Sequence, residues 1–261
     1  MKHIIAIANQ KGGVGKTTTA VNLSASIAAM EKHVLLIDCD PQANASSGLN
    51  IDRSERENNI YDILFQPEMS STVVRHTDLK YLDIIPSVQD LVAAEIELVE
   101  KKDREYHFKK IIDNIQTAYD YIILDCPPSL GLITINALCA ASDLLIPLQC
   151  EYYALEGIAS LMQTYELVKT RLNPDLQLMG VLLTMFDKRN KLSYQVETEV
   201  RNYFQERVFE SIIPRNVRLS EAPSHGLPVL CYDYRSSGSQ SYLAMGREIV
   251  AMGKKNEVVG S

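Results

Sequence analysis

Cysteine is scarce and unpatterned in this chain. Its 261 residues hold five Cys, at positions 39, 126, 139, 150 and 231, with no C-x-x-C pair and no metal-type spacing. That weighs against a disulfide framework and against a cysteine-held metal. The thiols read as buried and free in a reducing compartment. The five His are just as scattered, so no zinc site is read. Long apolar runs are also missing; each is interrupted before the roughly 18 residues that a membrane span needs. Met1-Lys2-His3-Ile4 leads straight into a strand pattern, without a signal-peptide layout. Positive charge is in short supply, with 26 Lys and Arg against 33 Asp and Glu, a net charge of -7 and a pI near 5.3. Taken alone, that balance argues against a nucleic-acid binder. Repeats, low-complexity tracts and linkers are absent, so residues 1–261 read as one domain, with a flexible tail expected over about 254–261.

What is present is ordinary globular composition, 46% apolar and 23% charged, which excludes disordered and fibrous classes. Apolar, β-branched runs alternate with helical patterns. Strands are expected at residues 4–8, 34–37, 82–85, 121–124, 144–148 and 178–183. Helices are expected at residues 17–30, 133–141, 154–172, 194–204 and 242–252, with two more carried by Leu91 to Leu98 and Phe108 to Ile115. Residues 42–59 read as a polar loop and Val208 to Ile213 as extended chain. The alternation predicts an α/β fold of the P-loop NTPase type, with a mostly parallel central sheet and helices on both faces.

The first strand is followed by Asn9-Gln10-Lys11-Gly12-Gly13-Val14-Gly15-Lys16-Thr17-Thr18-Thr19 and then a helix. Glycines let successive backbone N–H groups converge on one anion, and the helix N-terminus adds its dipole. In such a loop Lys16 reaches the β- and γ-phosphates of a nucleotide and the Thr17 hydroxyl ligates Mg²⁺. The loop departs from the common G-x-x-x-x-G-K-[ST] pattern: Gln10 stands where the first glycine belongs, and a second lysine, Lys11, opens it.

With that second lysine the loop resembles the deviant Walker A ATPases, and within them the ParA/Soj chromosome and plasmid partitioning branch. The resemblance runs from Ile4 to about Gly253 and rests on four further runs. They are Asp38-Cys39-Asp40-Pro41-Gln42, Ile122-Ile123-Leu124-Asp125-Cys126-Pro127-Pro128-Ser129, the stretch Gln149 to Gly157, and the stretch Ile213 to Gly226. Acids ending parallel strands face the ligand crevice of such sheets.

The resemblance implies ATP and Mg²⁺ as cofactors, held by residues Lys11 to Thr18. These comprise Gly12, Gly13, Val14, Gly15, Lys16 and Thr17 besides the two ends, and Thr17 and Asp125 are placed at the metal, Asp125 through water. It implies that Lys11 reaches the nucleotide of a second subunit, stabilising charge on the γ-phosphate as an arginine finger does. Asp40 is implied to position or activate the attacking water, and Asp38 to support either the metal site or the loop geometry. Pro214 and Asn216 are implied at the adenine, and Gly12 at the subunit contact. His225 and Cys126 read as structural, Tyr152 and Tyr153 as packing residues.

The same resemblance implies a homodimer in the ATP state, non-specific binding of double-stranded DNA through Arg189 and Arg218, and a ParB-type centromere-binding protein that stimulates hydrolysis. It thus implies a cytoplasmic, nucleoid-associated protein. The charge distribution leaves room for this. Residues 184–261 carry eleven Lys/Arg against nine Asp/Glu, while residues 1–183 carry fifteen against twenty-four. Dimerisation would double a modest basic patch. No DNA-reading module is expected before a loop that begins at residue 11.

Two other readings compete. A MinD-like membrane-cycling ATPase would need a basic amphipathic C-terminal helix; the run after Gly253 reads as too short and polar, so no membrane is expected. A tyrosine kinase or nitrogenase-type reductase would need a C-terminal tyrosine cluster or suitably placed cysteines. Tyr232, Tyr234 and Tyr242 are dispersed, and Cys126 and Cys139 fit poorly.

Overall fold

The computed structural model describes residues 3–152 and 156–259, apart from the side chains of residues 53, 55, 116, 156 and 254–259. Seven strands form one sheet: β1 (His3–Ile7), β2 (Val34–Asp38), β3 (Arg75–His76), β4 (Leu82–Ile85), β5 (Tyr121–Asp125), β6 (Asp143–Gln149) and β7 (Gln177–Thr184). Their order is β3-β4-β2-β5-β1-β6-β7, and every pair is parallel except β3 with β4. The expected fold class is therefore the observed one. β2 and β5 are buried along their whole length, which is why they read as unbroken apolar runs.

Helices cover both faces. The helices before β5 are α1 (Lys16–Ala28), α2 (Asn44–Gly48), α3 (Ile60–Phe65), α4 (Leu91–Glu97) and α5 (His107–Ile115). After it come α6 (Leu132–Ala140), α7 (Glu156–Arg171), α8 (Lys191–Phe204), α9 (Val217–Glu221), α10 (Val229–Tyr232) and α11 (Ser237–Val259). Alternate residues of each strand feed opposite cores. Leu35 and Ile37 of β2 join Phe108, Leu138 and Leu161 on one face, while Val34 and Leu36 join Leu23, Ile27 and Tyr242 on the other. Packing of these apolar faces, more than intrinsic propensity, stabilises helices in such cores.

Several expectations need correction. The polar loop over residues 42–59 contains α2, whose short Asn-Ala-Ser-Ser-Gly run has no apolar period to betray it. By contrast, Val208 to Ile213 is extended as expected, running beside β7 through Phe209 N–H to the Val181 carbonyl and Ile213 N–H to the Leu183 carbonyl. The last helix does not stop at Gly253 but continues to Val259. That glycine serves close packing: a Cβ there would sit 2.8 Å from His3 Nε2. The tail expected to be flexible includes residues 260 and 261, outside the described part, as are residues 154 and 155 at the expected start of α7. Cys231 is exposed, whereas Cys39, Cys126, Cys139 and Cys150 are buried.

Candidate functional site

The parallel strands end together, and three of the loops leaving them carry the charged residues singled out above. Gly13 and Gly15 take φ of +74° and +90°, a region that favours glycine, and this turns the chain after β1 into the start of α1. Nothing would touch a Cβ on Gly12 or Gly13, so that side of the loop is open. The loop is braced from below by Asn9, the first residue of the loop motif, and by Thr184, which no motif contains. Asn9 donates to the Pro147 carbonyl and accepts from Lys11 N–H, and Thr184 Oγ1, at the end of β7, donates to the Val14 carbonyl at 2.8 Å. Thr184 is a polar group at a strand end, a position that no motif marks.

Lys16 is buried at the start of α1, and its ammonium donates to the Lys11 carbonyl at 3.2 Å. Burial lowers its pKa, and the nearby acids Asp125 and Asp40 pull the other way. A cation held in this way, under a ring of backbone amides, is suited to a phosphate. Lys11 differs from it: its ammonium forms a 2.7 Å ion pair with Glu151, whose other carboxylate oxygen accepts from the Gln149 side chain. Glu151 lies in the stretch Gln149 to Gly157, to which the resemblance assigns no task.

Asp38, Asp40 and Asp125 stand at the ends of neighbouring strands, Asp38 and Asp125 in register. Asp38 is fully buried, and its oxygens accept from Ser46 N–H, Ser46 Oγ–H and Asp40 N–H at 2.8, 2.7 and 3.2 Å. Burial pushes its pKa up to about 6 against those hydrogen bonds. With its lone pairs used in this way, Asp38 fastens α2 and the Asp40 loop to β2. Asp40 is buried too, and its carboxylate accepts from Gln42 N–H at 2.9 Å.

Asp125 is unlike both. Its two oxygens are buried, relieved in hydrogen bonding among the described residues only by the neighbouring Thr17 side chain, and burial with the Asp38 charge holds its pKa well above the carboxylate range. Thr17 and Lys16 ease that only in part. An uncompensated carboxylate is costly in a folded chain. Beside a threonine hydroxyl and a phosphate-type loop, it has the donor chemistry of a hydrated divalent cation such as Mg²⁺, so these residues fit the metal that the sequence implied.

The remaining expected site residues each hold partners of their own. Pro214 bridges to Phe186 beyond the end of β7. The Asn216 carbonyl oxygen caps α9 by accepting from Arg218 N–H, and its amide donates to Ser237 at 2.7 Å. Arg189 is exposed in the loop before α8 and forks onto Asp187 through Nε and Nη2 at 3.0 and 2.8 Å. Arg218 pairs with Glu221 and Asp233. Tyr152 is exposed rather than packed, and Tyr153 lies outside the described residues. His225 stacks on Tyr232.

A family model described as an AAA domain matches residues 2–178. The chain is 54% identical over 248 residues to the chromosome partitioning protein ParA of Myxococcus xanthus, covering 95% of this chain and 88% of that one. It is 53% identical to the sporulation initiation inhibitor protein Soj of Bacillus subtilis, covering 97% of this chain and all of that one. The chain belongs to the ParA/Soj family. Among solved structures it is similar to cobyrinic acid a,c-diamide synthase of Mycobacterium smegmatis with bound ADP and magnesium, with a TM-score of 0.87, 32% identity and coverage of 98% of this chain and 97% of that one. Across the ParA/Soj relatives the match spans both the phosphate loop and the late run from Ile213 to Gly226, so membership does not rest on the loop alone. Among the described residues no helix is long and apolar enough to cross a membrane.

Proposed function

We propose that this ParA/Soj-family chain is a DNA-partitioning ATPase. ATP with Mg²⁺ joins two copies, the dimer binds DNA without sequence preference, and a ParB-type partner stimulates hydrolysis and release. The observation that carries this reading is the convergence of Lys16, Asp40 and the buried Asp125 carboxylate on one glycine-rich loop.

Each residue then has a task. The amides of residues 12–17 and the Lys16 ammonium hold the phosphates and stabilise charge on the leaving oxygen. Thr17 and Asp125 would hold Mg²⁺, which when bound neutralises phosphate charge. Asp40 accepts a proton from, or orients, the water that attacks the γ-phosphorus; water and ATP give ADP and phosphate. Asp38 keeps the Asp40 loop in place. Lys11 leaves Glu151 and reaches the nucleotide of the other copy. Pro214 and Asn216 border the base. Arg189 and Arg218 contact DNA phosphates, which would bring the protein to the nucleoid.

Sedimentation and DNA retention test this with ATP, with ADP, and with Asp40→Ala plus ATP. Dimerisation and DNA binding are expected only with ATP, and a long-lived dimer is expected for the variant. Binding to liposomes but not to DNA would replace this reading with the membrane-cycling one.

A further inference from the structure

The end of the sheet opposite the phosphate loop holds a cavity. β1, β6 and β7 run parallel and begin there, and the C-terminal part of α11 closes the cavity from one side. Its volume is about 410 Å³, within the ~300–1,000 Å³ typical of small-molecule sites. Part of the lining is apolar. Leu178 and Ile249 are buried, Met179 is half-buried and Met252 is exposed.

The rest of the lining carries charge of both signs. Asp143 opens β6, and Arg207 lies in the short turn after α8. Among the described residues the two do not pair with each other. Asp143 Oδ2 accepts from Ser142 Oγ at 2.7 Å and lies 3.6 Å from His3 Nδ1, which leaves Oδ1 without a described partner. The His3 ring is held by stacking on Tyr121, with centroids 5.3 Å apart. The Arg207 guanidinium donates to the Leu178 carbonyl, and its remaining N–H groups reach no described carboxylate. Opposite charges that share a cavity without meeting are each open to a second partner. A simple anion would suit Arg207 but face Asp143, and a simple cation would meet the reverse. A molecule with both charges and an apolar group suits all three parts of the lining.

We infer that this cavity binds a small zwitterion of the apolar α-amino acid class, with its ammonium on Asp143, its carboxylate on Arg207 and its side chain against Met179, Ile249 and Met252. A guanidinium matches a carboxylate through paired N–H donors, and burial of an aliphatic side chain adds the apolar share. The site lies at the opposite end of the strands from Lys16 and Asp125, so it does not rest on the ATPase reading.

The test titrates the full chain with L-leucine by calorimetry, with and without saturating Mg²⁺ and ADP. Saturable binding at one site is expected, unchanged by the nucleotide. Three analogues read the contacts one at a time: 4-methylpentanoate lacks the ammonium, 3-methylbutylamine lacks the carboxylate, and glycine lacks the side chain. Each should bind at least about tenfold more weakly than leucine, the loss of one such contact. Arg207→Gln and Asp143→Asn should each weaken leucine by a similar factor, and Met252→Ser by less. The two charge variants should also lose different preferences. Arg207→Gln should no longer favour leucine over 3-methylbutylamine, and Asp143→Asn should no longer favour it over 4-methylpentanoate. A general loss of folding would not give that cross-match. No saturable leucine binding, or equal binding by the parent and both charge variants, would overturn the site. Displacement of leucine by the nucleotide would place it at the phosphate loop and overturn it as well. Binding of 4-methylpentanoate as tight as that of leucine would overturn the zwitterion.

Discussion

The phosphate-loop end of the sheet and the arginine-bearing surface are both charged, but they hold charge in opposite ways. At the sheet end Lys16, Asp38 and Asp125 are buried, close to one another and pushed off their usual pKa values, and Asp125 is relieved only in part by Thr17 and Lys16. On the surface Arg189 and Arg218 are exposed, and each already holds a carboxylate of its own chain. Buried, strained charge is what a fold retains for chemistry. Exposed, paired charge is weakly held and can be exchanged for other anions. The first region is therefore poised for a ligand, and the second would have to give up its partners to take one.

Substitution at the sheet end should have the largest effects. Lys16→Ala removes the buried cation under the loop, and turnover should fall at least about a thousandfold, with nucleotide affinity lost as well. Asp40→Ala should slow hydrolysis by about a hundredfold or more while nucleotide binding survives, because Asp40 lies beside the loop rather than in it. Single-turnover assays with labelled ATP, alongside equilibrium binding, separate the two. If Asp40→Ala lost affinity as Lys16→Ala does, the division between holding and reacting would fail.

At the surface, effects should be smaller and depend on salt. Arg189→Ala should reduce the slope of log affinity for DNA against log salt by about 1 per subunit contact, with dimerisation unchanged. Asp187→Asn should do the reverse. It frees the guanidinium from the fork that now holds it, and DNA affinity should rise. Fluorescence anisotropy across a salt series reads both, and an unchanged slope in both variants would remove Arg189 from the DNA surface.

How legible each region was follows from the same contrast. The strands and the loop could be read because burial dictates identity: an unbroken run such as Ile122 to Leu124 fits little but a central strand, and positive φ at Gly15 favours glycine. Lys16, Thr17 and Asp125 follow from that geometry. Arg189 and Arg218 came only from resemblance, since an exposed arginine before a helix has no local signature. Asn9, Thr184 and Ser46 were missed for another reason. Asn9 and Thr184 act on partners 138 and 170 residues away, which leave no pattern along the chain, and Ser46 lies in a polar run with no apolar period to mark α2. Gly253 misled because glycine near a helix end usually marks a stop, whereas here it is needed for contact with His3 and Tyr121.

A smaller effect, on stability alone, sharpens the claim of strain. A carboxylate whose folded pKa is raised binds its proton more tightly folded than unfolded. Stability is then lost as pH rises from the unfolded value through the folded one. For Asp38 that window runs from about 4, the ordinary aspartate value, to about 6. For Asp125 it extends higher. Without ligand, Asp125→Asn should therefore raise Tm at pH 7 by a few degrees, on a scale of about 2–4 °C per kcal/mol. The gain should shrink towards pH 4, where the parent aspartate is also protonated. Added Mg²⁺ with nucleotide should stabilise the parent more than the variant.

The smallest change is expected where the two regions meet. Lys11 belongs to the phosphate loop, yet its ion pair with Glu151 is of the surface kind, with both side chains substantially exposed. Glu151→Gln should alter the Tm of the ligand-free chain by no more than about 1 kcal/mol of stability can produce. If the pair holds Lys11 back from a second subunit, the same variant should dimerise at a lower ATP concentration than the parent. Sedimentation across an ATP series measures this. A large loss of stability in Glu151→Gln would place Lys11 with the buried charges, and the line between the two regions would then have to be drawn beyond the loop.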